Sequence, residues 1–511
     1  MRLRLRYIFL SLIVLIALVF NINTSVAQLP LENAIDRLIH EQMKAQHIPG
    51  LALAVTQGDK ILYAKGYGVA SSSQPVTVQT QFFIASVSKS FTAAAVMQLV
   101  EAGKINLDAP VQTYLPEFTL TDPKTAARIT IRHLLNQVSG LSDLGFPEYQ
   151  LPQPATLKQR VTSLNTAHPV AVPGTEFHYF NPNYAILARV VEVVSQQPFL
   201  EYLRLHLFAP LQMTHTLNVI TSTEALQTAT NLAQGHLMAF GIPFAAPEMK
   251  GFLGGSGGVI STAEDMAHYL ILQTNGGRFE DAQLLSPESM KLMHTSPQNI
   301  HSSYGMGWFA LKENGKPVLE HNGILSTFYT DVVLLPQDKY GIVLLHNISA
   351  TPLIAIALPQ IKTGLIQLLT TGQSVSGGIG MNGWGISIGV LTLIGVGLAI
   401  RSLLRLRHWK QARHEVPLWR SLLSLSGMFF PMEGGYVYGH EAVRDYWTRQ
   451  WKLINPIVEP TGFKPDENGR IVVTVHQVVR DLEGNLMVDQ MVQHIYTFAD
   501  KLIQRMDIQE A

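Results

Sequence analysis

A long stretch without charge constrains this chain most strongly. Between Lys362 and Arg401 there is no Asp, Glu, Lys or Arg, and positions 380–400 supply about 20 largely apolar residues, enough to cross a bilayer core. Trp384 lies on one side and a basic cluster beginning at Arg401 on the other, as aromatic belts and cytoplasmic flanks require. We therefore predict a transmembrane helix at 380–400. A buried core helix is the alternative, but globular helices rarely lack charge for so long.

A second apolar run lies at the start of the chain. Three arginines within the first six residues precede the uncharged segment Tyr7–Phe20, and Ser25-Val26-Ala27 is small at both positions that a signal peptidase reads. The pattern predicts a signal peptide at 1–27, with an uncleaved anchor as the alternative. Both place the following domain, 28–372, in the periplasm or cell exterior. The single span at 380–400 would then return a basic linker, 401–427, and a tail, 428–511, to the cytoplasm.

Composition excludes several classes of protein. With 14% charged and 47% hydrophobic residues, the chain is not a disordered polymer. Lys plus Arg and Asp plus Glu both count 37, which argues against nucleic acid as a partner. Cysteine is absent, and the 18 histidines show no His-Glu-x-x-His spacing, so neither a metal nor another cofactor is expected. The expected partners are a small molecule or a membrane.

The pattern of segments predicts an α+β domain. A helix over Leu31–His47 precedes two strands joined by the hairpin signal Gly58-Asp59. After a long, mostly helical middle, four more strands are predicted between Gly305 and His346, followed by a helix at Leu353–Leu369. A sheet assembled from both ends of the domain is therefore expected. In the tail, the sequence pattern predicts a helix that begins at Gly439 and a small antiparallel sheet.

Three short motifs carry potential chemistry. Ser86 and Lys89 lie one turn apart at the start of an Ala-rich helix, so the amine can act on the hydroxyl proton. Tyr179 and Asn181 lie on a loop before another helix. Tyr179 is a candidate proton shuttle, with its pKa lowered by the Lys89 cation. The alternatives are a core tyrosine and, since Pro182 follows, a helix cap at Asn181.

The third motif is His321-Asn322-Gly323, at the end of a predicted strand where an extended substrate could lie. A structural histidine is the alternative. Lys362-Thr363-Gly364 is a rival for this position, but it falls in a helical stretch where no strand edge is available. We therefore interpret that match as accidental.

Taken in order, these motifs resemble those of the serine β-lactamase and penicillin-binding superfamily, in its class C-like branch. The similarity extends over about 31–369. It includes the following segments: Phe83–Thr92, Leu99–Asp108, Ile131–Leu135, Ser139–Leu141, Pro210–Met213, Gly254–Gly258, Ser261–Met266 and Tyr304–Trp308. It implies an antiparallel sheet flanked by terminal helices, with a helical lobe and the active site between them.

The resemblance also implies roles for individual residues. Ser86 would be the acylated nucleophile, and Lys89 and Tyr179 the proton-transfer pair. Asn181 would bind a substrate amide, and His321 with Gly323 would form the substrate-binding edge. The backbone N–H groups of Ser86 and Ile324 would form the oxyanion hole. Together these roles imply a hydrolase that works through an acyl-enzyme on a small-molecule or peptide substrate, such as a fragment of the cell wall.

Two departures from the family pattern bear on the substrate. His321 stands where class C β-lactamases and many carboxypeptidases have lysine, and its reference pKa near 6.5 leaves it mostly neutral at neutral pH. We therefore predict that penicillinase activity is weak and that the substrate is a peptide, amide or ester. Ser326-Thr327 replaces a frequent Pro-Gly. The competing hypothesis is a receptor that binds penicillin or peptidoglycan fragments without turnover and signals through the span.

The tail resembles the second half of a SnoaL-like fold, mainly in Gly439–Trp447 and the final strands. The first helices of that fold are short or absent in this chain. Dimerisation or binding of a small ligand is the expected role.

Overall fold

A seven-stranded antiparallel sheet organises the first of two compact units in the computed structural model. The structure describes residues 30–239, 242–298, 300–313, 315–349, 359–373, 454–466, 470–481, 486–499 and 502–510. The sheet has the order β11-β12-β13-β14-β1-β2-β3. Its strands are β1 (Gly50–Gln57), β2 (Lys60–Ser71), β3 (Gln74–Pro75), β11 (Phe309–Glu313), β12 (Lys316–Ile324), β13 (Tyr329–Leu335) and β14 (Tyr340–His346). The predicted sheet built from both ends of the domain is therefore present.

Period-two alternation divides the core between the two faces of this sheet. In β1, Leu51, Leu53 and Val55 pack on one face, against the terminal helices Leu31–Gln46 and Pro359–Thr371. Ala52 and Ala54 face the larger core of the helical part. Because β1 is buried on both faces, it reads as a continuous apolar run rather than an alternating one.

The helical part lies between β2 and β11 in the chain. Its helices are Ser88–Glu101, Pro123–Ala126, Ile131–Leu135, Leu157–Ser163, Pro182–Ser195, Phe199–Leu203, Ser222–Thr228, Ala263–Thr274 and Pro287–Met293. Short strands accompany these helices. One small sheet contains the three strands β4 (Phe82–Phe83), β5 (Leu217–Asn218) and β8 (Val259–Ser261). Two further pairs are β6 (His236–Ala239) with β7 (Ile242–Ala245) and β9 (Arg278–Phe279) with β10 (Ala282–Gln283). Ser88–Glu101 has eleven buried residues and runs through the centre of this core.

Strand boundaries near the site differ from the sequence prediction. The Gly305 N–H donates to the Trp308 carbonyl at 2.7 Å, which closes a turn. The strand predicted from Gly305 therefore begins only at Phe309. By contrast, β12 continues past the predicted end at His321 to Ile324, because Asn322, Gly323 and Ile324 all pair with β13.

The described residues of the second unit form an antiparallel sheet of four strands in sequential order. They are β15 (Ile454–Pro465), β16 (Ile471–Asp481), β17 (Leu486–Ala499) and β18 (Leu502–Glu510). The two predicted tail strands, from Ile471 and Leu486, are confirmed, and two further strands flank them. The predicted helix at 439–447 lies outside the described residues. A four-stranded meander alone does not define a SnoaL-like cone, so that assignment is not confirmed.

The predicted fold class must be corrected in its membrane element. No helix in the described ranges is both long and apolar enough to cross a bilayer. The longest helix there, Leu31–Gln46, has 16 residues, short of the roughly 20 that a bilayer core requires. The stretch 380–400 lies outside the described residues, as do the signal peptide at 1–27 and the linker at 401–427, so the structure gives no support for the predicted span. The fold is a mixed arrangement of helices around antiparallel sheets.

The contacts of Lys362 distinguish Lys362-Thr363-Gly364 from the motif His321-Asn322-Gly323. Lys362 lies in the helix Pro359–Thr371, and its Nζ is 2.7 Å from a carboxylate oxygen of Glu320 and 3.9 Å from one of Asp331. Burial raises the pKa of Asp331 to about 6, although Lys362 opposes this. The cation therefore offsets two carboxylates that the sheet places under the terminal helix. Lys362-Thr363-Gly364 is a structural element, as the sequence interpretation held.

Replacing Lys362 by methionine should destabilise the fold. The change leaves Glu320 and the buried Asp331 without their cation, and we expect the free energy of unfolding to fall by about 2 kcal/mol in urea denaturation. The matched control is Lys316→Met, which breaks the more exposed pair with Asp338 and should cost about 0.5 kcal/mol or less. Equal losses in the two variants would contradict this role.

Candidate active site

A strained turn presents the hydroxyl of Ser86. Ser86 lies in the 3₁₀ turn Ala85–Val87, directly before the helix Ser88–Glu101. The preceding residue, Ala85, has a φ of 48°, in the left-handed region that costs an L-residue roughly 1–2 kcal/mol. Surrounding core residues hold it there, since Ala85 is buried. Ser86 itself is partly exposed. Nothing in the sequence pattern indicates this strain, and the helix begins two residues later than predicted.

Lys89 is enclosed beneath this hydroxyl. Its side chain is fully buried, and Nζ donates to Ser86 Oγ at 3.0 Å, to Asn181 Oδ1 at 2.8 Å and to the Ser256 carbonyl at 2.9 Å. Burial lowers the pKa of Lys89 to about 7, although the Glu148 carboxylate raises it. An amine with that pKa is partly neutral at neutral pH. It can therefore accept a proton from Ser86.

Tyr179 lies beside Ser86 and Lys89, and its pKa is shifted in the direction opposite to the one predicted. Lys89 Nζ is 4.9 Å from the centre of its ring. Burial raises the pKa of Tyr179 well above its ordinary value, and the hydrogen bond with Ser86 lowers it only in part. The prediction that the Lys89 cation depresses this pKa is wrong, because the cost of burying a phenolate dominates. Tyr179 is a neutral hydroxyl at rest.

Asn181 does not cap the helix that follows it. Its side chain makes no capping hydrogen bond to the helix Pro182–Ser195. Instead Oδ1 accepts from Lys89, and Nδ2 donates to the Tyr149 hydroxyl at 2.8 Å. Asn181 therefore holds the amine and keeps its own amide at the site.

Glu148 is an acidic neighbour that the sequence reasoning missed. It is buried, and its carboxylate lies 3.1 Å from the buried guanidinium of Arg160. Burial raises the pKa of Glu148, while Arg160, Lys89 and a hydrogen bond from Asn181 lower it. A single carboxylate in an irregular loop has no spacing that marks it. Only the fold brings it next to Lys89.

His321 is buried on β12 and tied to its neighbours. It is 1% exposed, with Nδ1 2.7 Å from the Asn322 carbonyl and Nε2 3.2 Å from the Tyr304 hydroxyl. Nδ1 therefore carries the proton, and Nε2 accepts from Tyr304. Burial and the Lys89 charge lower the pKa of His321 to about 3. The imidazole is neutral, which agrees with the missing positive charge inferred from the sequence.

Gly323 permits β12 to reach the nucleophile turn. A Cβ at this position would lie 2.1 Å from the Ile84 carbonyl oxygen and 3.0 Å from Ala85 Cβ. Any side chain would thus push the strand away from Ser86. Ile324, the next residue, is 48% exposed at the end of the strand. The fold therefore places Lys89, Tyr179, Asn181, His321 and Gly323 around the Ser86 turn, and Ile324 follows Gly323 at the end of β12.

Comparison with known proteins agrees with this geometry. The chain matches the Beta-lactamase family over residues 35–361, and it belongs to that family, whose members are usually serine hydrolases. It is 30% identical over 319 residues to penicillin-binding protein 4 of Amycolatopsis lactamdurans, covering 59% of this chain and 81% of that protein. It is 28% identical over 332 residues to the protein flp of Staphylococcus aureus strain MW2. That match covers 62% of this chain and 64% of flp, less than two thirds of its length.

Solved structures support the fold. The octameric penicillin-binding protein homologue from Pyrococcus abyssi is 21% identical, with a TM-score of 0.56 over 93% of this chain and 95% of that one. EstCE1, a hydrolase with promiscuous acyltransferase activity, is 24% identical, with a TM-score of 0.53 over 66% of this chain and 99% of its own. At these identities the similarity concerns the fold alone.

The rate at which Ser86 reacts should depend on the protonation of Lys89. Only the neutral amine accepts the Ser86 proton, so acylation by a nitrophenyl ester should rise with pH, with a midpoint of about 7. Glu148→Gln removes a charge that raises the pKa of Lys89, so its midpoint should move to lower pH. The control Glu101→Gln, at the far end of the same helix, should leave the midpoint unchanged. A flat profile from about pH 5.5 to 8.5 would contradict this assignment.

Proposed function

We propose that this protein is a serine hydrolase that forms an acyl-enzyme on Ser86 and acts on peptide, amide or ester substrates. The observation that carries the proposal is the 3.0 Å contact between Ser86 Oγ and Lys89 Nζ, with the lysine fully buried. A partly exposed serine beside a buried amine of lowered pKa is a nucleophile with its general base in place.

The first half-reaction uses the protonation states described above. Lys89 accepts the Ser86 proton as Oγ bonds to the substrate carbonyl carbon. The oxyanion that forms is stabilised by the backbone N–H groups of Ser86 and Ile324. Tyr179, which is neutral at rest, donates its proton to the leaving group and regains one from the Lys89 ammonium. The carbonyl re-forms as the bond between its carbon and the leaving group breaks, and the acyl group remains on Ser86.

Hydrolysis completes the cycle. Neutral Lys89 accepts a proton from water, and the hydroxide attacks the acyl carbonyl. Collapse of the second tetrahedral intermediate breaks the bond to Ser86, whose Oγ recovers a proton from Lys89. Asn181, held by Lys89 and Tyr149, is positioned to bind an amide of the substrate. The similarity to penicillin-binding protein 4 of Amycolatopsis lactamdurans supports a substrate site that accepts penicillin-like molecules.

Labelling of Ser86 tests this function. We expect a fluorescent penicillin and a fluorophosphonate to label the full chain, and Ser86→Ala to abolish labelling. Mass spectrometry should show that the penicilloyl adduct decays within minutes as water cleaves it. An adduct that persists for hours would favour a receptor that binds penicillin without turnover. If the folded protein is labelled by neither probe, the catalytic assignment is wrong.

The neutral His321 predicts a preference against carboxylate-bearing substrates. His321→Lys would place an ammonium on the binding edge. It should raise kcat/KM for a carboxylate-bearing substrate about tenfold relative to its methyl ester, equivalent to about 1.4 kcal/mol. The control His321→Gln keeps the position neutral and should leave this ratio unchanged. An unchanged ratio in His321→Lys would refute the argument from charge.

A further inference from the structure

One carboxylate outside the catalytic group accepts four hydrogen bonds from a single loop. Glu248 Oε1 accepts from the Ser326 N–H at 3.0 Å and the Ser326 hydroxyl at 2.6 Å. Oε2 accepts from the Thr327 N–H at 2.9 Å and the Thr327 hydroxyl at 2.6 Å. Two consecutive backbone N–H groups directed at one carboxylate form an anion-binding turn. We call these contacts the Glu248 clasp.

The clasp lies at the tip of the hairpin that forms the binding edge. Strand β12 ends at Ile324, which pairs with Tyr329 at the start of β13. The Leu325 N–H donates to the Phe328 carbonyl at 3.0 Å across the loop. Ser326 and Thr327 are the two residues between Leu325 and Phe328. The clasp therefore begins two residues beyond Ile324. A shift of the loop would shift the Ile324 N–H with it.

The segment that carries Glu248 is itself anchored. The Met249 N–H donates to Ser326 Oγ at 3.1 Å, and the Met249 carbonyl accepts from the Ser222 hydroxyl at 2.8 Å. Three residues on, the Phe252 ring lies 4.9 Å from the Arg160 guanidinium that pairs with Glu148. Glu248 thus connects the hairpin tip to an anchored segment of the helical part of the domain.

The clasp also gives a role to both side-chain hydroxyls of Ser326-Thr327. Neither residue restricts the turn as a proline would. In this chain both hydroxyls donate to Glu248. An external carboxylate therefore fixes a loop whose own residues do not restrict it.

We propose that Glu248 is a positioning residue for the oxyanion hole: by binding Ser326 and Thr327 it fixes the Ile324 N–H relative to Ser86. This inference rests on the proposed function, since the oxyanion belongs to that reaction. Glu248 touches no reacting atom and acts only through the hairpin. Small displacements of oxyanion donors are costly, and loss of one donor slows catalysis by about 10²–10³.

Glu248→Gln tests the inference in the full-length chain. The amide replaces one acceptor by a donor and cannot bind both N–H groups. We expect kcat for the nitrophenyl ester to fall at least about tenfold, with KM changed less than about threefold. Amide hydrogen exchange in peptides spanning 322–329 should become faster. The matched control is Asp36→Asn, since the Asp36 carboxylate also accepts several hydrogen bonds, from Tyr63, Tyr67 and Lys65.

The control separates positioning from general stability. Asp36→Asn should lower Tm while leaving kcat and exchange at 322–329 unchanged. If the wild-type protein reacts at Ser86 but Glu248→Gln changes only Tm, the inference is overturned and the proposed function stands. If the wild-type protein shows no Ser86-dependent reaction with either the ester or the fluorophosphonate, the proposed function fails, and the inference fails with it.

Discussion

The burial of one amine organises the site. Lys89 has no access to water. Its amine donates three hydrogen bonds to acceptors in separate parts of the chain: the nucleophile turn, the loop before the helix Pro182–Ser195 and the Gly-rich segment containing Ser256. Desolvation disfavours the charged amine, so burial itself makes Lys89 a base near neutral pH. The same enclosure keeps His321 and Tyr179 neutral.

Close backbone packing makes this enclosure possible. At Gly255, with a φ of 77°, a Cβ would lie 2.3 Å from the Tyr184 carbonyl oxygen and 2.7 Å from Ala188 Cβ. The carbonyl of Gly255 accepts from the Thr92 hydroxyl at 2.7 Å. This segment therefore packs between the helices that carry Lys89 and Tyr184. Gly323 packs against Ile84 in the same way. Lys89 is therefore enclosed, while Ser86 above it stays partly exposed.

Sequence reasoning succeeded where the signal is local. The helical spacing of Ser86 and Lys89 and the apolar runs of β1, β13 and β14 are properties of short segments, and the structure confirms them. Glu148, Arg160 and Glu248 stand alone in the sequence, with no motif or spacing that marks them, so only the tertiary fold reveals their contacts. The pKa of Tyr179 was predicted in the wrong direction because a sequence shows a neighbouring charge but not the depth of burial. The transmembrane helix was predicted from apolar content and flanking residues, and the described part of the structure does not support it.

Direct titration of Lys89 tests the central claim. In protein labelled with ¹³C at the lysine side chains, the resonance absent from a Lys89→Ala variant belongs to Lys89, and its shift can be followed by NMR across the pH range. The account predicts a midpoint of about 7. A midpoint near 10.4, the ordinary value for lysine, would show that Lys89 stays charged and cannot be the base for Ser86.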